Sequence, residues 1–130
     1  FNVLEHIYNH KQLINECYRV LKKEGYFFAV IPFIHRIHAD PNDFWRYTSS
    51  SLHNLLSESG FKEINIEPLG FGPVTAGYAQ IQPVIPKILS IIFVPVLLLS
   101  ILLDKLVNKI ARKYSKKENY PLGYFITARK

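Results

Sequence analysis

Residues 1–69 carry helical and extended hydrophobic patterns in alternation. After Asn9, which can cap a helix together with Gln12, apolar residues recur at helical spacing until Gly25. The run 26–31 is short, rich in aromatic residues and apolar throughout. Such a run predicts a strand that is buried on both faces and lies at the centre of a sheet.

A second helix and further strands are predicted around these two elements. Thr48 or Ser49 can cap a helix that carries its leucines on one side and stops at Gly60. Residues 61–69 then alternate between apolar and polar, which predicts a strand nearer the edge of the sheet. Residues 1–4 have the pattern of the carboxyl end of another strand. The order strand, helix, strand, helix, strand indicates an α/β sheet with right-handed crossovers.

The stretch 70–119 fits neither a strand nor a crossover helix, and we interpret it as an insertion. Within it, Ile88–Leu103 runs for sixteen residues without a charge. Residues 122–128 are one more candidate strand. We therefore predict a single partial domain made of an α/β core at 1–69, a hydrophobic and basic helical insertion at 70–119, and a final strand within 120–130.

Positive charge is concentrated beside this apolar run. The chain has 16 Lys and Arg against 10 Asp and Glu, and six of the basic residues lie within 105–117. Basic residues next to apolar ones are typical of a membrane surface rather than of a nucleic-acid site, so we expect no nucleic-acid partner. The single cysteine, Cys17, excludes an intrachain disulfide and favours a reducing compartment.

The apolar run is too short for a simple membrane span. As a helix, Ile88–Leu103 would be about 24 Å long, against a hydrocarbon core of about 30 Å, and it contains Pro95. A single crossing would also separate the last strand from its sheet. We expect a cytoplasmic protein that contacts the membrane peripherally through residues 84–118. The alternative is a lid that packs on the sheet or on a second copy of the protein in a homo-oligomer.

Four of the five histidines fall on two loops that follow predicted strands. The first loop holds Glu5, His6 and His10, and the second, at 33–47, holds His35, His38, Asp40, Asp43 and Arg46. Because the carboxyl ends of parallel strands meet at one edge of a sheet, we expect these side chains to form a site there.

The second loop allows more than one interpretation. His35-x-x-His38 with Asp40 and Asp43 could bind a metal, but the spacing matches no zinc pattern, and we predict no metal site. Arg46 is either half of a structural ion pair with Asp43 that holds the loop, or a contact to a substrate.

Several short motifs follow one another along the chain: NVLEHI at 2–7, RVLKKEGY at 19–26, IPF at 31–33, the stretch 38–48, SGF at 59–61 and GYF at 123–125. In this order they resemble the carboxyl-terminal half of class I S-adenosylmethionine-dependent methyltransferases, including members that act on sugars, lipids or small metabolites. The similarity covers about residues 1–70 and 120–130 and leaves the insertion unmatched.

The resemblance implies a Rossmann-like sheet in which residues 1–4 end the fourth strand, 26–31 form the fifth, 64–69 the sixth and 122–128 the reversed seventh. It also implies that the family's glycine-rich turn and its acidic ribose-binding residue precede Phe1 in a longer protein. We therefore expect the isolated piece to bind the cofactor poorly and to be inactive.

Roles for individual residues follow from the same resemblance. Methyl transfer depends on alignment, and it needs a base only when the nucleophile arrives protonated. S-adenosylmethionine is the implied cofactor, and the acceptor is a small molecule, a sugar or a lipid-linked compound. The implied residues are Leu4, Glu5 and His6 for the cofactor, His6, His38, His35 and Asp43 for catalysis, and Phe33, Trp45 and Arg46 for the acceptor.

Two other classes of function compete with this one. In the first, residues 84–118 anchor a partner to lipid, and the α/β part is a non-catalytic support. In the second, His35, His38 and Asp43 form a metal-dependent hydrolase, which would carry stoichiometric zinc or manganese.

Overall fold

The structure is a computed structural model that describes residues 3–38, 41–86, 88, 90–111 and 115–130, without the side chains of 90–92. Its main elements are α1 (His10–Val20), β1 (Tyr26–Pro32), α2 (Ser49–Glu58), β2 (Lys62–Leu69), α3 (Pro73–Ile81), α4 (Ser90–Ile110) and β3 (Gly123–Arg129). Short 3₁₀ turns lie at Leu4–His6, Gln82–Val84 and Lys117–Asn119. Two compact units result: unit 1 comprises residues up to 33, 37–68 and 123–130, and unit 2 comprises 34–36 and 69–122.

Both predicted helices of unit 1 are present. Thr48 caps α2, since its hydroxyl oxygen accepts the backbone N–H of Ser51 at 3.3 Å. Asn9 precedes α1, but its side chain donates to the Gln12 side chain at 2.9 Å and caps no backbone amide. The helix ends at Val20 rather than at Gly25, because Leu21 already takes an extended conformation with ψ of 141°.

The sheet has the order β1-β3-β2. β3 runs antiparallel to β1, with Tyr26 opposite Arg129 and Pro32 opposite Gly123. The last strand is therefore reversed, as predicted. Because β3 lies between β1 and β2, β2 is at an edge of this sheet, as the alternating pattern of residues 61–69 predicted.

The prediction that β1 is a central strand buried on both faces is wrong for the part of the chain described. β3 is the central strand, and β1 lies at an edge. Phe27, Ala29 and Ile31 are buried, whereas Tyr26 and Phe28 are about half exposed. An apolar run shows that a strand has two apolar faces, but here the helices of unit 1 cover only one of them.

The core of unit 1 lies between the sheet and the two helices. Ile14 of α1 and the three predicted leucines of α2 are buried against this face of the sheet. The cluster comprises Leu4, Ile14, Phe27, Ala29, Ile31, Tyr47, Leu52, Leu55, Leu56, Phe61, Tyr124, Ile126 and Ala128. Helices packed on a small three-stranded sheet, in which β1 and β3 pair antiparallel, agree with the predicted α/β class.

The opening segment does not end a strand in the part that the structure describes. Phe1 and Asn2 lie outside the described residues, and Leu4–His6 form a 3₁₀ turn. The turn forms because Leu4 is buried in the core and the Glu5 carbonyl oxygen accepts N–H groups from the second loop. These contacts satisfy the backbone without a neighbouring strand.

Unit 2 contains the helical insertion as a pair of helices joined by a buried carboxylate. Asp104 of α4 is 0% exposed, and its oxygens accept the amides of Val74 and Thr75, both at 2.9 Å, and the Thr75 hydroxyl at 2.6 Å. Its negative charge thus lies at the positive end of α3. Gly72 is required beside it, because a Cβ there would lie 2.6 Å from Asp104 Oδ1.

The apolar run forms the first part of α4, which ends at Ile110. The helix therefore ends within the basic stretch 105–117, of which residues 112–114 lie outside the described residues. Among the helices described, none combines the length and the hydrophobicity needed to cross a membrane.

Candidate active site

Two segments of unit 1 meet at the candidate site: the turn Leu4–His6 and the part of the second loop at 41–47. The Glu5 carbonyl oxygen accepts the amide of Phe44 at 2.8 Å and that of Trp45 at 3.3 Å. The Trp45 indole N–H donates to the Ile7 carbonyl at 3.1 Å. These three bonds hold the two loops together, so that side chains distant in sequence become neighbours.

The Glu5 carboxylate is the buried centre of the site. Its side chain is 1% exposed, and its Oε1 lies 3.6 Å from His6 Nε2 and 3.6 Å from His38 Nε2. Both distances exceed those of a normal hydrogen bond. The other oxygen, Oε2, has no hydrogen-bond partner among the residues described. A buried carboxylate with so few bonds depends on nearby positive charge or on a ligand.

Each imidazole is oriented through its Nδ1 atom. His6 Nδ1 lies 2.5 Å from the Asn42 carbonyl oxygen, and His38 Nδ1 lies 3.3 Å from Asp43 Oδ2. A carbonyl or carboxylate oxygen only accepts, so a hydrogen on Nδ1 suits the shorter of the two oxygen contacts that each ring makes. In the neutral rings the lone pairs are then on Nε2, on the side of Glu5. The two rings meet edge to face, with centroids 4.8 Å apart.

Asp43 is held ionised by the loop around it. Its side chain is 2% exposed, and Arg46 donates to both carboxylate oxygens, with Nη2 at 2.7 Å from Oδ2. The backbone N–H of His38 donates to the same Oδ2 at 3.1 Å. The Arg46 hydrogen bonds hold the pKa of Asp43 far below its usual range, against the effect of burial, and the His38 amide adds to the lowering. The ion pair proposed from the sequence is therefore present, and acceptor binding by Arg46 stays a prediction.

The aromatic residues divide into a packed group and an exposed pair. The Trp45 ring meets His10 edge to face at 4.6 Å and lies 6.3 Å from the ring of Tyr47, which is in the core. Burial lowers the pKa of His10, and the neighbouring charge of Lys11 lowers it further. Tyr8 and Phe44 are exposed and meet edge to face at 5.4 Å. The exposed pair offers ring surface to a ligand, and the acceptor contact predicted for the partly buried Trp45 stays a prediction.

Three predicted site residues lie elsewhere or point elsewhere. The Leu4 side chain is in the core, so only its backbone could contact a cofactor. Phe33 packs against Tyr124, with ring centroids 5.9 Å apart. His35 belongs to unit 2, where its Nδ1 pairs with the Arg36 carbonyl oxygen at 3.0 Å. The roles assigned to these residues stay predictions.

The sequence reasoning missed two features of the site. The Asn42 carbonyl oxygen orients His6, and a backbone carbonyl leaves no signal in a residue pattern. Tyr47 has a buried hydroxyl without a hydrogen-bond partner within the described part of the chain. Burial, together with the negative charge of Glu5, raises the pKa of this phenol.

Comparison with known proteins agrees with the resemblance seen in the sequence. A family model described as a methyltransferase domain matches residues 1–29. No curated protein matches the chain. The crystal structure of a SAM-dependent methyltransferase from Archaeoglobus fulgidus aligns with 99% of this chain at a TM-score of 0.56 and 16% sequence identity. This chain has the methyltransferase fold.

The structural alignment covers different shares of the two chains. The chain spans 56% of the length of the A. fulgidus protein. Because the alignment covers 99% of this chain, it includes most of the stretch 70–119, which the sequence motifs had left unmatched. At this level of identity the likeness establishes the fold.

The unpaired hydroxyl of Tyr47 gives a direct test of the packing around the site. Tyr47 and Tyr124 are both 5% exposed, but only the Tyr124 hydroxyl receives a backbone hydrogen bond, from Ser49. We expect Tyr47→Phe to leave the free energy of unfolding unchanged or slightly higher, because no bond is lost. Tyr124→Phe should lower it by about 0.5–1.5 kcal/mol. Urea unfolding measures both, and a loss above about 1 kcal/mol for Tyr47→Phe would contradict the described packing.

Proposed function

We propose that this chain is part of an S-adenosylmethionine-dependent methyltransferase that acts on a small-molecule, sugar or lipid-linked acceptor. The observation that carries the proposal is the juxtaposition of Glu5, His6 and His38 on a methyltransferase fold. Two of these residues lie in the segment that the methyltransferase-domain model matches.

The chemistry of the site fits a cationic methyl donor. The cofactor, when bound, supplies a methyl group on a positively charged sulfonium. Glu5 provides a buried negative charge, and the exposed rings of Tyr8 and Phe44 provide faces that attract cations. These residues would attract the sulfonium end of the cofactor.

His38 is the better of the two candidate bases. An acceptor hydroxyl or amine that took the methyl group would lose a proton, and His38 Nε2 would accept that proton. Asp43 contacts His38 Nδ1 and would stabilise the resulting imidazolium. His6 has only the neutral Asn42 carbonyl behind it, so its cation would be less stabilised.

Calorimetric titration of the complete protein with S-adenosylmethionine tests the proposal. We expect saturable binding, and we expect Glu5→Gln to weaken it about tenfold or more, because the variant removes the buried negative charge. EDTA in all samples keeps the result independent of any metal.

Glu67→Gln is the matched control for this titration, because Glu67 is an exposed carboxylate on β2. It should bind like the unmodified protein. Absence of any heat from the unmodified protein at millimolar cofactor would rule out the proposal.

We also propose that unit 2 contacts an anionic membrane surface. The sequence pattern, in which basic residues follow an apolar run, led to the same expectation. The support is the inverted polarity of α4 in the structure. The helix buries Ser100 and Asp104, whereas apolar residues along its other sides are exposed: Val94, Val96, Leu97, Leu98, Leu99, Leu102, Leu103, Leu106 and Ile110. A helix in water normally shows the opposite arrangement.

Position and charge favour lipid as the occupant of this surface. Val94, Leu98, Leu102 and Leu106 follow one another at intervals of four residues and so share one side of the helix. Lys105 and Lys109, in the last turns, are exposed beside them. An apolar stripe flanked by lysines is suited to a surface with acyl chains and anionic headgroups.

Liposome flotation tests this second proposal. We expect the protein to float with vesicles that contain phosphatidylserine and less with pure phosphatidylcholine. The double variant Leu98→Glu, Leu102→Glu should abolish flotation, because it places two charges in the apolar stripe.

Val20→Glu is the control for flotation, since it changes an exposed apolar residue of unit 1 and should leave flotation intact. A protein that stays unbound with both vesicle types would contradict lipid contact. A stable dimer that the double variant dissociates would show that a second copy covers the stripe instead.

A further inference from the structure

We infer that Glu5, His6 and His38 bind a divalent transition-metal ion of the zinc class. The proposed ligands are a Glu5 carboxylate oxygen and the Nε2 atoms of the two histidines. This set differs from the combination of His35, His38, Asp40 and Asp43 that the sequence raised. The inference stands on side-chain geometry alone and does not depend on the methyl transfer proposed above.

The separations between ligand atoms suit one shared ion. Glu5 Oε1 lies 3.6 Å from each Nε2, and one ligand atom from each of the three residues lies within 4.8 Å of the others. Ligands at normal zinc distances in a tetrahedral site are about 3.3–3.5 Å apart. The two Glu5–histidine separations are close to these values, and rotation of the rings would bring the two histidine atoms, now within 4.8 Å of each other, closer together around an ion.

Both histidines are already oriented as metal ligands require. Imidazoles that bind a metal usually donate their other ring N–H to a carbonyl or carboxylate oxygen, which fixes the tautomer. Here the Asn42 carbonyl does this for His6 and Asp43 does it for His38. Arg46 in turn holds Asp43 through both of its oxygens. The second layer of a metal site is thus present behind each histidine.

Burial provides the second, independent observation. The Glu5 side chain is 1% exposed, and its Oε2 lacks a hydrogen-bond partner within the residues described. Its Oε1 contacts the imidazoles at distances too long for hydrogen bonds. A cation between the three side chains would supply the missing bonds and compensate the buried negative charge.

The types of ligand and the solvent access to the site indicate which class of metal would bind. Two imidazoles and one carboxylate favour zinc or iron(II) over magnesium or calcium, which prefer oxygen ligands. The His38 side chain is 30% exposed, so an ion can enter from solvent on that side. Three protein ligands leave at least one coordination position open. If the proposed methyl transfer is correct, an acceptor oxygen bound there would be activated by the metal instead of by His38 as a base.

Cobalt(II) titration of the full chain tests the site without any methylation assay. After EDTA treatment and removal of the chelator, we expect one Co²⁺ per chain, with visible absorption typical of four or five ligands, and displacement by Zn²⁺. Glu5→Gln, His6→Gln and His38→Ala should each weaken binding about tenfold or more. His53→Ala, an exposed histidine on α2, should leave it unchanged.

X-ray absorption of the zinc-loaded, unmodified protein keeps the test valid if the variants fail to fold. It should show two imidazoles and oxygen donors around the metal. Absence of stoichiometric Co²⁺ binding would overturn the inference. Binding that survives both Glu5→Gln and His38→Ala, or a spectrum without two imidazoles, would also overturn it. None of these outcomes depends on whether the protein binds S-adenosylmethionine.

Discussion

The arrangement of the candidate site depends on the burial of a single residue, Glu5. Its backbone carbonyl accepts two amides of the second loop, and its side chain lies between two imidazoles. Together with the Trp45 indole bond to the Ile7 carbonyl, these backbone bonds fix the position of the loop relative to the turn Leu4–His6. Without the side chain the two histidines would have no common partner. The same residue thus builds the site and provides its charge.

Buried carboxylates organise both units of the chain, in different ways. Asp104 in unit 2 is fully paired by three donors from α3, so its role is structural. Glu5 in unit 1 has one oxygen without a partner among the residues described. A fully satisfied buried charge stabilises a packing arrangement, whereas an incompletely satisfied one is typical of a site that binds something. This difference is the reason to look for function at Glu5.

Much of the local structure could be predicted from the sequence, because it depends on short-range chemistry. The cap at Thr48 and the leucine face of α2 follow from residue type and helical spacing, and both are present. The direction of the last strand could not be derived from its own residues. That prediction came from the resemblance to a known family, which rests on the order of motifs along the chain. The half-exposed face of β1 was missed because the pattern of a strand does not reveal which of its faces other elements cover.

The sequence predicted most of the residues that form the site, but not how their side chains are arranged. Histidines and acids after strand ends indicated His6, His38 and Asp43 correctly as neighbours, together with Glu5. The pattern could not separate His35 from them, since three residues along a loop can lead into another unit. Nor could it show which ring nitrogen faces Glu5, because the Asn42 carbonyl that decides this for His6 belongs to the backbone.

The central claim is that both Nε2 lone pairs face the buried Glu5 carboxylate. Long-range ¹H–¹⁵N correlation spectra of the metal-free protein show directly which ring nitrogen of each histidine carries a hydrogen. We expect His6 and His38 both to be protonated on Nδ1, with unprotonated Nε2. Protonation of either histidine on Nε2 would contradict it, because that ring would then turn an N–H, rather than a lone pair, toward Glu5.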